Sequence, residues 1–183
     1  VLMIGFIFIS KFFLAQSDEI DSLENLIRQA KDPEKKALYL ADLSWIYSDL
    51  DVVKGIEYGE QALELARSTS DEYLIGRCLQ KLAESERSGG RYSESLDHLL
   101  EAKDIFVKQN DLKNISACLN KIGAVYYESN QVEKAADFFL LAYKSDSTRQ
   151  DTVGMSSTVH NVGTMKYLLG DPRSAIPYYL KSV

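Results

Sequence analysis

Two histidines, two cysteines and one glycine pair are the residues whose types could do the most diagnostic chemistry, and their spacing removes each from contention. His98 and His160 are far apart, and with only Cys78 and Cys118 beside them no metal-ligand spacing exists. Gly89 and Gly90 lack the GxxxxGK[ST] or GxGxxG surroundings of a phosphate loop, so they read as a helix terminator. His160 has no sequence neighbour to orient or activate it as a general base. Carboxylates are plentiful, but on amphipathic helices they belong to the solvated face. The sequence therefore predicts no catalytic residue, no cofactor and no metal. Its 21 basic against 27 acidic residues give a net charge of −6, with no run of Lys or Arg, which excludes a nucleic-acid backbone as partner.

What the residues do show is a period. Gly123 and Gly163 lie forty apart. The small residues Gly55, Ser95, Ala135 and Ala175 share that spacing, as do Ala62, Ala102, Ala142 and Ser182, with Leu99, Phe139 and Tyr179 in a large apolar column between them. A fixed period of this size implies stacked copies of one supersecondary unit. Cys78 and Cys118 share a column as well, so stacked copies would hold them roughly 10 Å apart, beyond the reach of a disulfide. Two free, buried thiols are expected.

The copies punctuate themselves. Asp71, Asp111 and Asp151 form a ladder suited to capping helix N-termini, where a carboxylate accepts from unpaired backbone N–H groups and meets the positive end of the helix dipole. Asp32 joins the ladder if the first copy is one residue short, with Pro33 at the first helical position and the deletion in the turn from Asp49 to Asp51. Gly90, Asn130 and Gly170 share a column of residues that tolerate the left-handed helix-ending conformation. The predicted helices are 33–48 with 52–69, 72–89 with 92–109, 112–129 with 132–148, and 152–169 with one from 172 onward. Ahead of them Ile20, Leu23, Leu26, Ile27 and Ala30 predict an amphipathic capping helix over 18–31.

Leu119, Ile122, Gly123 and Tyr126, followed by Ala135 and Phe139, reproduce the W-x2-L-G-x2-Y and A-x3-F spacing of the tetratricopeptide repeat, which residues 32–183 resemble. The fourth copy supplies Val159, Val162, Gly163, Ala175 and Tyr179, and the second Leu79, Leu82, Ala83, Ser95 and Leu99. The resemblance implies an all-α fold, a right-handed α-solenoid of antiparallel helix pairs in copies 32–70, 71–110, 111–150 and 151–183. The forty-residue period exceeds the family's usual thirty-four and resembles its longer-helix variety, with about 9 Å of added helix per copy. HEAT-type repeats share the period but fit the small residues less well. The column Tyr47, Glu86, Tyr126, Lys166 carries two charges, which predicts looser packing or outward snorkelling there. Pro177 is expected to kink the last helix.

In this family the first helix of each pair lines the concave face, which implies where a ligand would lie. The corresponding stripe is Leu38, Ala41, Trp45 and Ser48 in the first copy, then Arg77, Gln80, Glu84 and Arg87. It continues as Ala117, Asn120, Ala124 and Tyr127, then Ser157, His160, Thr164 and Tyr167. Trp45, Tyr127 and Tyr167 would anchor a protein or peptide ligand, with Arg77, Gln80, Arg87, Asn120 and His160 bonding to it. The alternative is an ordinary solvated face. The family's lysine and asparagine carboxylate clamp is not reproduced, since Ala124 stands where it needs an amide.

Val1 to Ala15 is nearly unbroken apolar sequence and reads as a secretory signal peptide or a clipped membrane anchor. It lacks a basic start, and Phe13 is bulky where cleavage favours a small residue. The fourth copy stops at Val183 before its second helix should finish, which implies a fragment of a longer protein. This layout resembles the N-terminal input region of exported or membrane-anchored bacterial signalling proteins such as sensor histidine kinases. The alternatives are a freestanding exported adaptor, or the N-terminal region of a transcriptional regulator or cyclase. Localisation would be periplasmic, exported or membrane-anchored, and cytoplasmic if the leader is not a targeting signal.

Overall fold

The computed structural model describes residues 17–181, and among them it contains nine α-helices and no strand. The leader Val1 to Ala15, Ser182 of the small column and Val183 lie outside the described residues. The helices are α1 (17–29), α2 (Pro33–Leu50), α3 (Val52–Thr69), α4 (Glu72–Ser88), α5 (Tyr92–Lys108), α6 (Leu112–Glu128), α7 (Val132–Arg149), α8 (Thr152–Leu168) and α9 (Pro172–Lys181). They form two compact units divided between Gly89 and Gly90. In the first, α2 packs on both α3 and α4; in the second, α5 to α9 pack each on the next.

Each aspartate of the ladder caps its helix. The side chains of Asp32, Asp71, Asp111 and Asp151 accept from the backbone N–H of Glu34, Leu74, Asn114 and Gly154 respectively. Such caps contribute about 1 kcal/mol each. Gly90, Asn130 and Gly170 have φ of 73, 61 and 82°, the left-handed conformation their column suggested. A second left-handed ladder was not foreseen: Ser70, Asn110 and Gln150, at φ of 59, 55 and 56°, end α3, α5 and α7 just ahead of the capping aspartates. There Asp111 N–H donates to the Phe106 carbonyl and Asp151 N–H to that of Asp146, the reach-back bond of a Schellman ending.

The first copy differs. In place of a turn from Asp49 to Asp51, α2 runs through Asp49 to Leu50, and Asp51 alone joins α2 to α3. Its N–H donates to the Tyr47 carbonyl while its carboxylate accepts from Lys54 N–H, so one extended residue ends one helix and starts the next. The missing residue is the left-handed one.

Small columns pack as the period requires. Ser95, Ala135, Ala175, Ala62, Ala102 and Ala142 are all buried. A Cβ on Gly123 would lie 2.8 Å from the Phe139 ring, so glycine there is what lets α6 and α7 approach around that ring. In the first copy the large column holds Gly59 instead, and Leu82 of α4 occupies the space, its Cδ1 2.8 Å from where a Cβ would stand. α1 buries Leu23 against Leu43 and Ile46, with Ile20, Ile27, Tyr39, Tyr47 and Tyr58 packed around them.

One expectation fails. Glu86 does not snorkel outward but is buried, at 1% exposure. The facing of a helix is set by its whole apolar stripe, and one charged residue does not rotate it. Lys166, in the same column, is half-buried. Pro177 does not end α9, which continues to Lys181. Cys78 and Cys118 are buried and not joined in a disulfide, and burial pushes the Cys78 thiol up to about 12, which disfavours its thiolate.

Candidate functional site

Spacing placed one stripe of residues on the first helix of each copy, and in the structure that stripe has two characters. In the first unit it runs along α2 and α4. Trp45 is 50% exposed, but the Lys81 ammonium lies 4.5 Å over its ring and also 3.5 Å from the Asp42 carboxylate. Arg87 Nη2 donates to Glu84 Oε1 at 2.6 Å, so two stripe charges neutralise each other. Arg77 is half-buried. Gln80 is buried, at 9% exposure, and is engaged within the protein, so its amide is not a surface donor. Ala41 and Ser48 are buried too, the Ser48 hydroxyl donating to the Trp45 carbonyl. The stripe narrows there because α2 packs directly on α4.

In the second unit the stripe runs along α6 and α8, where Tyr127, Ser157, His160 and Tyr167 are exposed and Ala117, Asn120, Ala124 and Thr164 half-buried. Tyr127 and Tyr167 are 44% and 61% exposed, and His160 is exposed. Asn161 Nδ2 donates to Asn120 Oδ1 at 2.9 Å, tying α8 to α6 and leaving the Asn120 amide nitrogen as the donor of that side chain. Behind them, the Tyr179 ring lies 5.6 Å from the His160 ring, and its hydroxyl donates to Thr164 Oγ1 at 3.4 Å. Thr164 in turn donates to the His160 carbonyl. The arrangement offers aromatic faces and amide or imidazole groups in a row, suited to an extended chain's side chains and backbone. Nothing in it pairs a nucleophile with a base.

At the start of this stripe the structure adds residues that spacing did not single out. Asp146, on α7, is buried against α8, where a Cβ on Gly154 would lie 2.8 Å from its carboxyl carbon. Its Oδ2 lies 3.4 Å from the Thr158 hydroxyl, whose nearer acceptor is the Gly154 carbonyl at 3.0 Å, and Arg149 Nη2 lies 3.7 Å from its Oδ1. Arg149 also donates to Asp151. The Gly154 backbone N–H, together with the Arg149 charge, holds the Asp151 carboxyl below its ordinary range. A signal for this cluster existed: an acid at 146, in the column of Ala66 and Phe106, faces a glycine at 154, in the column of Leu74 and Asn114. Two exceptions that compensate each other mark a contact.

Among the described residues, no group of three or more His, Cys, Asp or Glu is placed to hold a metal ion, and no helix is long and apolar enough to cross a membrane.

No family model matches this sequence, and no curated protein matches it. Solved structures do. A Rap protein complexed with Competence and Sporulation Factor superposes with a TM-score of 0.84 at 18% identity, over 94% of this chain and 48% of that one. The kinesin light chain of Podosopora anserina with nearly identical TPR-like repeats gives 0.70 at 13%, over 91% and 85%. The Rap conjugation gene regulator of plasmid pLS20, in complex with the Phr* peptide, gives 0.68 at 18%, over 81% and 41%. This chain spans about half the length of the first of these or less of the last. With helix pairs capped and packed as described, and with likeness to such structures across nearly its whole length, the chain has the tetratricopeptide-like α-solenoid fold.

Proposed function

We propose that this chain is a non-catalytic protein-interaction scaffold that holds an extended peptide along α6 and α8. The observation that carries the reading is the exposure of Tyr127, His160 and Tyr167 around half-buried Asn120, set against the paired charges of α2 and α4. Solved proteins of similar fold in complex with Competence and Sporulation Factor or the Phr* peptide support it. The test is capture from an array of random dodecapeptides by the wild type and by Tyr127→Ala with Tyr167→Ala. Exposed aromatic anchors contribute about 1 to 2 kcal/mol each, so the double variant should lose ten-fold or more in affinity. Equal capture by both would refute this surface.

The larger setting we infer is the input region of an exported or membrane-anchored bacterial signalling protein, such as a sensor histidine kinase. The apolar segment from Val1 to Ala15 supports it, as export signal or anchor. The gene sequence past Val183 tests it: an apolar stretch of about 20 residues is expected, and a polar capping helix followed by a stop would refute it in favour of a freestanding adaptor.

A further inference from the structure

A cavity of about 240 Å³ opens between the first turns of α6 and α8 and the last turn of α7. Its lining includes Lys113, Asn120, Arg149, Asp151, Ser157 and Thr158. Its acceptors are committed. Asp146 faces the Arg149 guanidinium, while Asp151 receives the Gly154 N–H and the same guanidinium. Its donors are not. Arg149 Nη1 is shut off from solvent and has no hydrogen-bond partner. A solvent-excluded guanidinium nitrogen left without an acceptor costs free energy, which a ligand oxygen would return. Lys113 adds a second positive charge, and the Asn120 amide nitrogen a neutral donor, its Oδ1 being taken by Asn161.

We propose that this cavity is a carboxylate-binding subsite. Arg149 Nη1 and the Lys113 ammonium receive the carboxylate, and Asn120 donates alongside. A carboxylate suits this donor set because charge-assisted bonds from a guanidinium are about twice as strong as neutral ones. A cation does not suit it, because both aspartates are already spent on internal partners. The subsite rests on the peptide reading for its biological ligand, which would present either an acidic side chain or its own C-terminus at the end of the stripe. Its cations come from the start of α6 and the end of α7, so it is separate from the lysine and asparagine clamp that the sequence lacks.

The test follows the Arg149 side-chain Nε–Hε resonance of the 183-residue chain by NMR. Three probes are titrated: N-acetylglutamate N-methylamide, with only a side-chain carboxylate; N-acetylglycine, with only a terminal one; and neutral N-acetylglutamine N-methylamide. A saturable shift from at least one acid and none from the neutral amide is expected, and the acid that binds names the source of the carboxylate. Arg149→Gln should weaken binding at least ten-fold. Because that change could disturb the α7–α8 turn, Ser157→Glu serves as a second variant. It places a carboxylate on the exposed rim, keeps Arg149, and should block the probe to a similar degree. No saturable response to either acid, an equal response to the neutral amide, or unchanged affinity in both variants would overturn the subsite. Peptide capture that depends on Tyr127 and Tyr167 without any response to the acids would overturn the subsite alone. A response to the acids without such capture would leave the subsite standing and remove the peptide groove.

Discussion

Two helices of the first unit and two of the second carry the same four-position stripe, yet on α2 and α4 its charged groups are paired, while on α6 and α8 Tyr127, His160 and Tyr167 stay exposed. Lys81 covers Trp45 and Asp42, Arg87 holds Glu84, and Gln80 is buried. Of their counterparts, Tyr127 is exposed, as are His160 and Tyr167 of α8, and Asn120 is half-buried with its Oδ1 bonded to Asn161. In a repeat scaffold, then, a stripe position stays available where the neighbouring helix leaves part of its side chain uncovered. One buried polar contact in each unit extends the comparison. In the first, Ser85 donates to the Ser44 carbonyl at 2.8 Å, which commits its proton and makes Ser44 Oγ the donor across the 3.1 Å gap to Ser85 Oγ. In the second, Asp146 faces the Arg149 guanidinium.

That division makes the largest expected effects unequal. Asp146→Ala removes one member of a nearly buried ion pair and strands part of the Arg149 charge, which should cost about 3 kcal/mol. Ser85→Ala leaves the Ser44 hydroxyl and carbonyl each one bond short, for about 1 to 2 kcal/mol. Urea denaturation of each variant checks this. The double variant Ser44→Ala with Ser85→Ala should recover part of the serine loss, because removing both hydroxyls leaves fewer unpaired groups. Equal losses for Asp146→Ala and Ser85→Ala would erase the distinction between the charged contact and the neutral one.

How much of this was legible depended on whether a feature is local. Asp71, Asp111 and Asp151 could be read as caps because the bond from a carboxylate to a backbone N–H three residues on needs only the local chain. The left-handed ladder at Ser70 and Gln150 could not, since neither residue type favours that conformation and the capping geometry of the next helix imposes it. The candidate stripe was legible as positions but not as availability. Nothing local to Gln80 says that it is buried, and nothing local to Arg149 says that Asp146 and Asp151 flank it. Glu86 was misread for the same reason, its residue type being weighed above the facing of its column.

A smaller effect separates the caps by pH. For Asp111, burial pushes the carboxyl up, but hydrogen bonds from the Asn114 backbone and side chain outweigh it and hold the group below its ordinary value. Asp151 and Asp171 are held low as well, through Gly154 and Ser174 respectively. A depressed folded value means that the stabilisation is full above the unfolded carboxyl range, near about pH 4, and is lost as pH falls through the folded value. All three caps belong to the second unit. Asp111→Asn keeps a capping oxygen, so it should change stability little at neutral pH while flattening the acid limb of the stability curve. An acid limb identical to that of the wild type would show that this cap does not carry the dependence.

The smallest change bears most directly on the contrast between the stripes. Lys81→Gln takes the ammonium from above Trp45 and from beside Asp42, contacts at 4.5 and 3.5 Å on a partly exposed surface. A cation over an exposed indole contributes about 0.5 to 1 kcal/mol, and a surface ion pair adds about 0 to 1, so stability should fall by roughly 1 kcal/mol or less. The informative readout is optical. Trp45 is the only tryptophan in the chain, so its fluorescence reports this position alone. If Lys81 is what closes the first stripe, the Lys81→Gln chain should show a steeper dependence of Trp45 quenching on acrylamide and a gain in non-selective peptide capture, since an uncovered indole presents its face to any passing chain. An unchanged quenching slope would mean that the neighbouring helix does not decide whether Trp45 is available, and the contrast between α2–α4 and α6–α8 would then have to rest on residue type alone.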